Sequence, residues 1–153
     1  MQVKELGHLV LYVRDLERSV HFYRDVLGWR PIGDPDVPLP FPAQAFNAGG
    51  RTHHELLLIE VGVTAAPIPA GRRVGMYHFG LKVGDSDDEL REVLATLRAA
   101  DVPILGATDH GMTHSLYISD PDGNEIELYI DVPGVDWEDP ELWQKPVLRP
   151  LVL

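Results

Sequence analysis

The sequence predicts an α+β fold built from two tandem βαβββ modules, each a strand and a helix followed by three strands. Three observations carry that prediction. His8-Leu9-Val10-Leu11-Tyr12-Val13-Arg14-Asp15 and His78-Phe79-Gly80-Leu81-Lys82-Val83-Gly84-Asp85 share His, Leu, Val and Asp at equal offsets, seventy residues apart. Each segment is followed by apolar residues at helical spacing: Leu16, Val20, Tyr23 and Leu27 in the first copy, Leu90, Leu94 and Leu97 in the second. The same offset of seventy aligns His54-Glu55-Leu56-Leu57-Leu58 with Asn124-Glu125-Ile126-Glu127-Leu128.

The first module spans about 6–63. A strand over Gly7–Val13 ends at Arg14-Asp15, and Asp15 can cap the helix that follows. Gly28 stops that helix, and Trp29–Ile32 reads as a short strand. Gly33–Pro42 carries Pro35, Pro38, Pro40 and Pro42 and must be an irregular loop. Strands near Ala43–Ala48 and His54–Val61, joined by Asn47-Ala48-Gly49-Gly50, complete the copy. A linker over 64–74, with Pro67 and Pro69, leads to the second module at about 75–131. There Tyr77–Val83 is a strand, Asp85-Ser86 starts the helix, and Val102–Leu105 is a short strand. Thr113–Ser119 and Asn124–Ile130 form a hairpin closed by Asp120-Pro121-Asp122-Gly123. The tail, 132–153, is rich in proline and tryptophan and is expected to pack over the surface or a partner.

Composition narrows the function. The chain has 153 residues, 44% of them hydrophobic, enough for one domain with a real core. The net charge of −11 argues against nucleic acid, whose phosphates call for a basic stripe. No apolar run approaches the ~20 residues of a membrane helix. The opening Met1-Gln2-Val3-Lys4-Glu5 lacks a secretory pattern, so cytoplasmic residence is the expectation. The absence of cysteine removes both disulfides and thiolate metal sites.

Strand alternation then sorts the side chains. Leu9, Leu11 and Val13, like Phe79, Leu81 and Val83, should face the helix, with Ile126, Leu128 and Ile130 from the last strand. His8, Val10 and Tyr12, His78, Gly80 and Lys82, and Glu125, Glu127 and Tyr129 should face the other way. Two imidazoles and a carboxylate, His8, His78 and Glu127, make the ligand set favoured by non-haem Fe(II) oxygenases, although manganese, zinc and nickel suit it too. The position matching Glu127 in the first copy is Leu57, so the symmetry that supplies two histidines withholds a fourth ligand.

These marks, with Ser19-Val20-His21-Phe22-Tyr23-Arg24-Asp25-Val26-Leu27-Gly28 and the hairpin from Ser119 to Leu128, resemble the vicinal-oxygen-chelate superfamily over about Leu6 to Asp131. That superfamily holds glyoxalases, bleomycin-resistance proteins and extradiol dioxygenases, and the chain is most similar to the catechol 2,3-dioxygenase-like branch. The resemblance implies a curved mixed sheet around a metal site, Fe(II) at that site, and a catechol-like small molecule and O2 as reactants. It implies catalytic roles for His54, Tyr117 and His110, the last two hydrogen-bonded to metal-bound oxygens. A pocket would be lined by Leu57, Ile59, Tyr12 and Glu125. Strict alternation puts His53 on the face of Leu57, whereas the family's spacing puts His54 there. Members of this length are often homodimers, some with modules exchanged between chains. Two other functions stay open on the same scaffold: a glyoxalase, isomerase or lyase using another divalent metal, and a metal-free antibiotic-binding protein. His21 and His114 read as scaffold, Glu60 as a helix-side or edge residue, and the acidic run Asp136, Glu138, Asp139 and Glu141 as solvated surface.

Overall fold

The structure, a computed structural model, describes residues 1–34, 37 and 39–153. Pro35 and Pro38 of the proline-rich loop, with Asp36, lie outside the described residues. The chain divides into two compact units, Met1–Ile68 and Pro69–Leu153.

In the first unit the order is β1 (Leu9–Val13), α1 (Leu16–His21), β2 (Arg30–Ile32), β3 (Ala43–Asn47) and β4 (Leu56–Glu60). The strands form a mixed sheet in the order β1-β4-β3-β2, with β1 and β4 parallel. Asp15 caps α1 by accepting from the Arg18 amide at 2.9 Å. Beyond His21 the helix widens into a π-helical turn, Phe22–Val26, where the Leu27 amide reaches back to the Phe22 carbonyl at 3.1 Å. The two adjacent rings of that turn, Phe22 and Tyr23, are both buried, in edge-to-face contact. Gly28, at φ +74°, then takes the left-handed step that ends the helix. The helix packs on β4 and β3. Its core partners Leu11, Val13, Phe46, Leu56 and Leu58 are buried, and truncating one of the leucines to alanine costs about 2–5 kcal/mol. Glu60 also faces the helix, accepting from the Leu16 amide at 2.8 Å.

The second unit repeats the order with β5 (His78–Gly84), α2 (Asp87–Ala99), β6 (Ile104–Asp109), β7 (Thr113–Ser119) and β8 (Glu125–Asp131). It then adds a short helix α3 (Glu141–Gln144) and a two-residue strand β9 (Arg149–Pro150). Its sheet runs β5-β8-β7-β6-β9, with β5 and β8 parallel. Here Ser86 caps the helix, its hydroxyl oxygen accepting from the Glu89 amide. Glu89 answers by accepting from the Asp85 amide and the Ser86 hydroxyl, each at 2.8 Å, which closes a capping box. Gly84 is part of that corner, because a Cβ there would stand 2.7 Å from Glu89 Cβ. Leu90, Leu97, Leu116, Ile118, Ile126, Leu128 and Ile130 are the buried core. The hairpin turn is held by Asp120, whose Oδ1 accepts from the Asp122 and Asn124 amides.

The α+β class and the βαβββ order of both copies are as the sequence predicts. The strand expected at Val102–Leu105 starts later and runs longer, Ile104–Asp109. Pairing with both β7 and β9 extends it, and no local pattern encodes that. The parallel pairs confirm the repeat at the level of register. Leu9, Val10 and Leu11 stand opposite Leu56, Leu57 and Leu58; Phe79, Gly80 and Leu81 stand opposite Ile126, Glu127 and Leu128. Each pair maps onto the other by the same offset of seventy, so Leu57 and Glu127 occupy equivalent places in equivalent sheets.

Candidate functional site

In the second unit five of the expected side chains converge. Glu127 on β8 lies opposite Gly80 on β5 and opposite Tyr117 on β7, so a glycine on one side leaves room above the carboxylate. A Cβ at Gly80 would sit 3.6 Å from Glu127 Oε2 and 3.2 Å from the Tyr129 ring. His78 Nε2 stands 3.3 Å from Glu127 Oε2, and its Nδ1 is 3.6 Å from Glu125 Oε1. The Tyr117 hydroxyl donates to Glu127 Oε1 at 2.9 Å. His110 Nε2 lies 2.8 Å from the same hydroxyl and 3.8 Å from Glu127 Oε1. Burial, reinforced by the bond to Glu127, raises the Tyr117 pKa above the ordinary phenol range, so it stays a donor at neutral pH.

The loop that carries His110 is fastened from behind. The Gly111 amide donates to Asp109 Oδ1 at 2.6 Å, and Arg149 of β9 donates to Asp109 Oδ2 at 2.9 Å. The Gly111 bond is the main cause of the lowered Asp109 pKa, with Arg149 adding to it against burial. Gly111 has φ +79° and no room for a Cβ, which would meet Val147 of the tail at 3.0 Å. The tail therefore packs on the surface of its own unit and steadies the histidine loop. His114 is scaffold: its Nδ1 bonds Asp87, at the start of α2, at 2.6 Å.

In the first unit His8, just before β1, meets two further imidazoles. The ring centroid of His54 is 4.5 Å away and that of His53 is 5.5 Å away. Both histidines of the pair thus approach His8, and their Nδ1 atoms stand 2.6 Å apart. His54 is the nearer and the less exposed, and its Nε2 is buried without a hydrogen-bond partner. Burial, then the charges of His53 and His8, lower the His54 pKa from its ordinary value. Glu55, which matches Glu125, is spent on the turn: its Oε2 accepts from the amides of Ala48, Gly49 and Gly50. Burial pushes its pKa up, but those amides and Arg51 hold it below the usual carboxylate range. Leu57 and Ile59 are half-buried on β4, opposite Val10 and Tyr12; Tyr12 is largely exposed.

Among the described residues, no group of three or more His, Asp or Glu side chains is arranged to hold a metal ion. The second unit does offer a fitting pair. Two adjacent ligand atoms on one first-row divalent ion, each about 2.0–2.2 Å from it, stand about 3 Å apart. His78 Nε2 and Glu127 Oε2, at 3.3 Å, match that spacing. Glu127 keeps one oxygen for Tyr117 and turns the other to His78, the outer-shell support that orients a metal-binding carboxylate.

The model of the Glyoxalase/Bleomycin resistance protein/Dioxygenase superfamily matches residues 5–128. The chain belongs to that superfamily. Among curated relatives, a catechol-2,3-dioxygenase of Bacillus subtilis is 36% identical over 87% of this chain and 44% of its own length. An iron-dependent extradiol dioxygenase of Rhodococcus jostii is 31% identical over 80% of the chain and 42% of its own length. The chain thus spans less than half of these two dioxygenases. A probable lactoylglutathione lyase of Synechocystis is 30% identical over 80% of the chain and 92% of its own length. A solved glyoxalase/dioxygenase structure from Nostoc punctiforme superimposes with a TM-score of 0.71 at 22% identity, covering 84% of this chain and 91% of that one, which shows the shared fold. The superfamily's α+β architecture is therefore the frame for the side chains described in each unit.

Sequence reading did not single out His53 as a neighbour of His8. Nor did it find the Asp109–Arg149 fastening, which depends on β9. It also passed over Arg72 and Arg73, which looked like linker. Two consecutive arginines in so acidic a chain were the available signal.

Proposed function

We propose that the chain is a metal-dependent, extradiol-type dioxygenase of a catechol-like small molecule, with His8, His78 and Glu127 as the ligands of Fe(II). The observation that carries this reading is the register-matched contrast between Glu127 opposite Gly80 and Leu57 opposite Val10. A carboxylate ligand would then come from one copy only, and the open coordination positions this leaves are what the dioxygenase reading needs. Iron bound there would supply the redox centre at which a diol and O2 are brought together. The names and identities of the two dioxygenase relatives support the same reading.

The chain's own residues would do the rest. Tyr117, held protonated and donating to Glu127, and His110, bonded to it, stand beside that carboxylate, and turning either donor from its present partner would let it meet negative charge on a bound diol or on oxygen. His54 Nε2, without a partner and with a lowered pKa, is the group equipped to accept a substrate hydroxyl proton at neutral pH. Glu125, 3.6 Å from the otherwise unpartnered His78 Nδ1, would favour a proton on that nitrogen by charge alone and leave Nε2 for the metal. A cytoplasmic homodimer is the proposed setting.

A second reading, a glyoxalase- or lyase-type reaction with another divalent metal, is favoured by the Synechocystis relative, whose length this chain nearly spans. Leu57 stands against it, because it removes the fourth ligand that the superfamily's repeat would otherwise supply. The test is anaerobic reconstitution with Fe(II), followed by oxygen uptake across a panel of catechols. Uptake in step with a yellow ring-fission product is expected. Absence of uptake over the whole panel with iron bound overturns the proposal.

A further inference from the structure

An open cavity of about 710 Å³ lies in the second unit, lined by Gly71, Arg72, Arg73, Met76, Tyr77, Gly123 and Glu125. Its size falls in the ordinary range for a small-molecule site. It abuts the candidate site directly: Glu125 belongs to both, and the Tyr77 ring lies 4.7 Å from that of His78.

The two arginines give this cavity its character. The chain carries 24 carboxylates against 13 lysines and arginines, so two adjacent arginines lining one cavity make a local positive patch on an acidic protein. Arg24, Arg51, Arg91 and Arg149 all pair with acids. Among the described residues, neither Arg72 nor Arg73 has such a partner. Arg73 is held instead by neutral carbonyls, its NH groups donating to Pro69 O at 3.3 Å and Met76 O at 3.4 Å. A guanidinium positioned by backbone carbonyls keeps its full charge for an incoming anion. Glu125 supplies the opposite sign at the boundary with His78. It accepts from hydroxyls and repels carboxylates, so it sorts a two-ended ligand: diol towards His78, anion towards the arginines. Tyr77 and Met76 offer apolar surface for a ring between them.

We infer that this cavity binds the anionic substituent of the substrate, which makes the preferred substrate an aromatic diol bearing a carboxylate side chain. The inference deepens the diol reading and rests on it for the word substrate, but the anion site itself stands on the cavity and its two arginines. In a chain of net charge −11, an anionic ligand is repelled at long range and needs such a local pair to bind.

The test uses the full chain without metal and two probes that contain no diol, phenylacetate and its neutral isostere phenylacetamide, titrated by calorimetry at low salt. Phenylacetate is expected to bind about tenfold more tightly than the amide, as one or two charge-assisted hydrogen bonds provide. The preference should disappear in the double variant Arg72→Gln/Arg73→Gln. Arg72→Gln alone, which leaves the Arg73 bonds to the loop intact, should reduce it by about threefold and keeps the test valid if the double variant is unfolded. Equal binding of the two probes, or a preference that survives the substitutions, overturns the inference. Because neither probe can be ring-cleaved, a failure of oxygen uptake with catechols would count against the dioxygenase reading and leave this result untouched.

Discussion

Tyr117→Phe is the substitution whose effect the structure defines best. It removes one hydroxyl and nothing else, and that hydroxyl bonds both Glu127 Oε1, at 2.9 Å, and His110 Nε2, at 2.8 Å. A hydrogen bond to a charged acceptor contributes about 1.5–3 kcal/mol to stability. The Glu127 side chain is only 17% exposed, so water replaces the lost donor poorly. His110 Nε2 is already 3.8 Å from the same oxygen and can close on it, which places the net loss at the lower end, about 1.5–2 kcal/mol. At about 2–4 °C per kcal/mol for a chain of this size, the melting temperature of the metal-free protein should fall by about 3–8 °C. The pH dependence adds a second readout. The folded phenol has a pKa above its unfolded value of about 10, so its contribution is complete below that pH and declines as pH rises through the folded value. The gap between wild type and variant should therefore be full at about pH 7.5 and narrower above about pH 10.5. Melting curves by far-UV circular dichroism at both pH values measure it. A variant that melts within 1 °C of wild type at the lower pH, or a gap that widens with pH, would refute the assignment of this hydroxyl to Glu127.

Three further expectations follow from other residues. His54 has a folded pKa below its unfolded value, so stability is undiminished above about pH 6.5 and falls as acid forces a proton onto the unfolded chain first. Melting temperatures from pH 7.5 down to pH 5.5 should drop more steeply for wild type than for His54→Gln, and parallel curves would contradict this. Gly84→Ala forces a methyl to 2.7 Å from Glu89 Cβ at the α2 capping box, so chemical denaturation should show a loss of about 1–3 kcal/mol. Leu57→Glu puts a carboxylate where the repeat lacks one. Oxygen uptake with a catechol should fall at least about tenfold while metal content measured by mass spectrometry is kept or raised, as an occupied coordination position requires.

The duplicated architecture was legible because it is written twice. The offset of seventy that pairs His8 with His78 also aligns the strand registers, down to Val10 opposite Leu57 and Gly80 opposite Glu127. Alternation correctly buried Ile126, Leu128 and Ile130 and left Glu125, Glu127 and Tyr129 on the other face, where the His78–Glu127–Tyr117–His110 contacts form. What stayed hidden depends on partners distant in sequence or on irregular backbone. The strand Arg149–Pro150 has no strand-like pattern and exists through its pairing with Thr108 and Asp109. The π-helical turn at Phe22–Val26 departs from the helical period by one residue, too little to read from spacing. His53 and His54 precede β4 rather than lie within it, so alternation had no authority over which of them turns to His8. The arginines of the cavity lie on a loop, and loop residues announce neither direction nor neighbours.

The central claim, a dioxygenase reaction at the site marked by Glu127, is tested most directly by isotope labelling. The Fe(II)-reconstituted protein is given a catechol under ¹⁸O₂ and the product is examined by mass spectrometry, with Glu127→Gln alongside. The account predicts a ring-opened product carrying both labelled atoms from wild type and almost none from the variant, whose bound iron should also fall sharply. A product isomeric with the substrate and free of label, or labelled product undiminished in the Glu127→Gln protein, would contradict it.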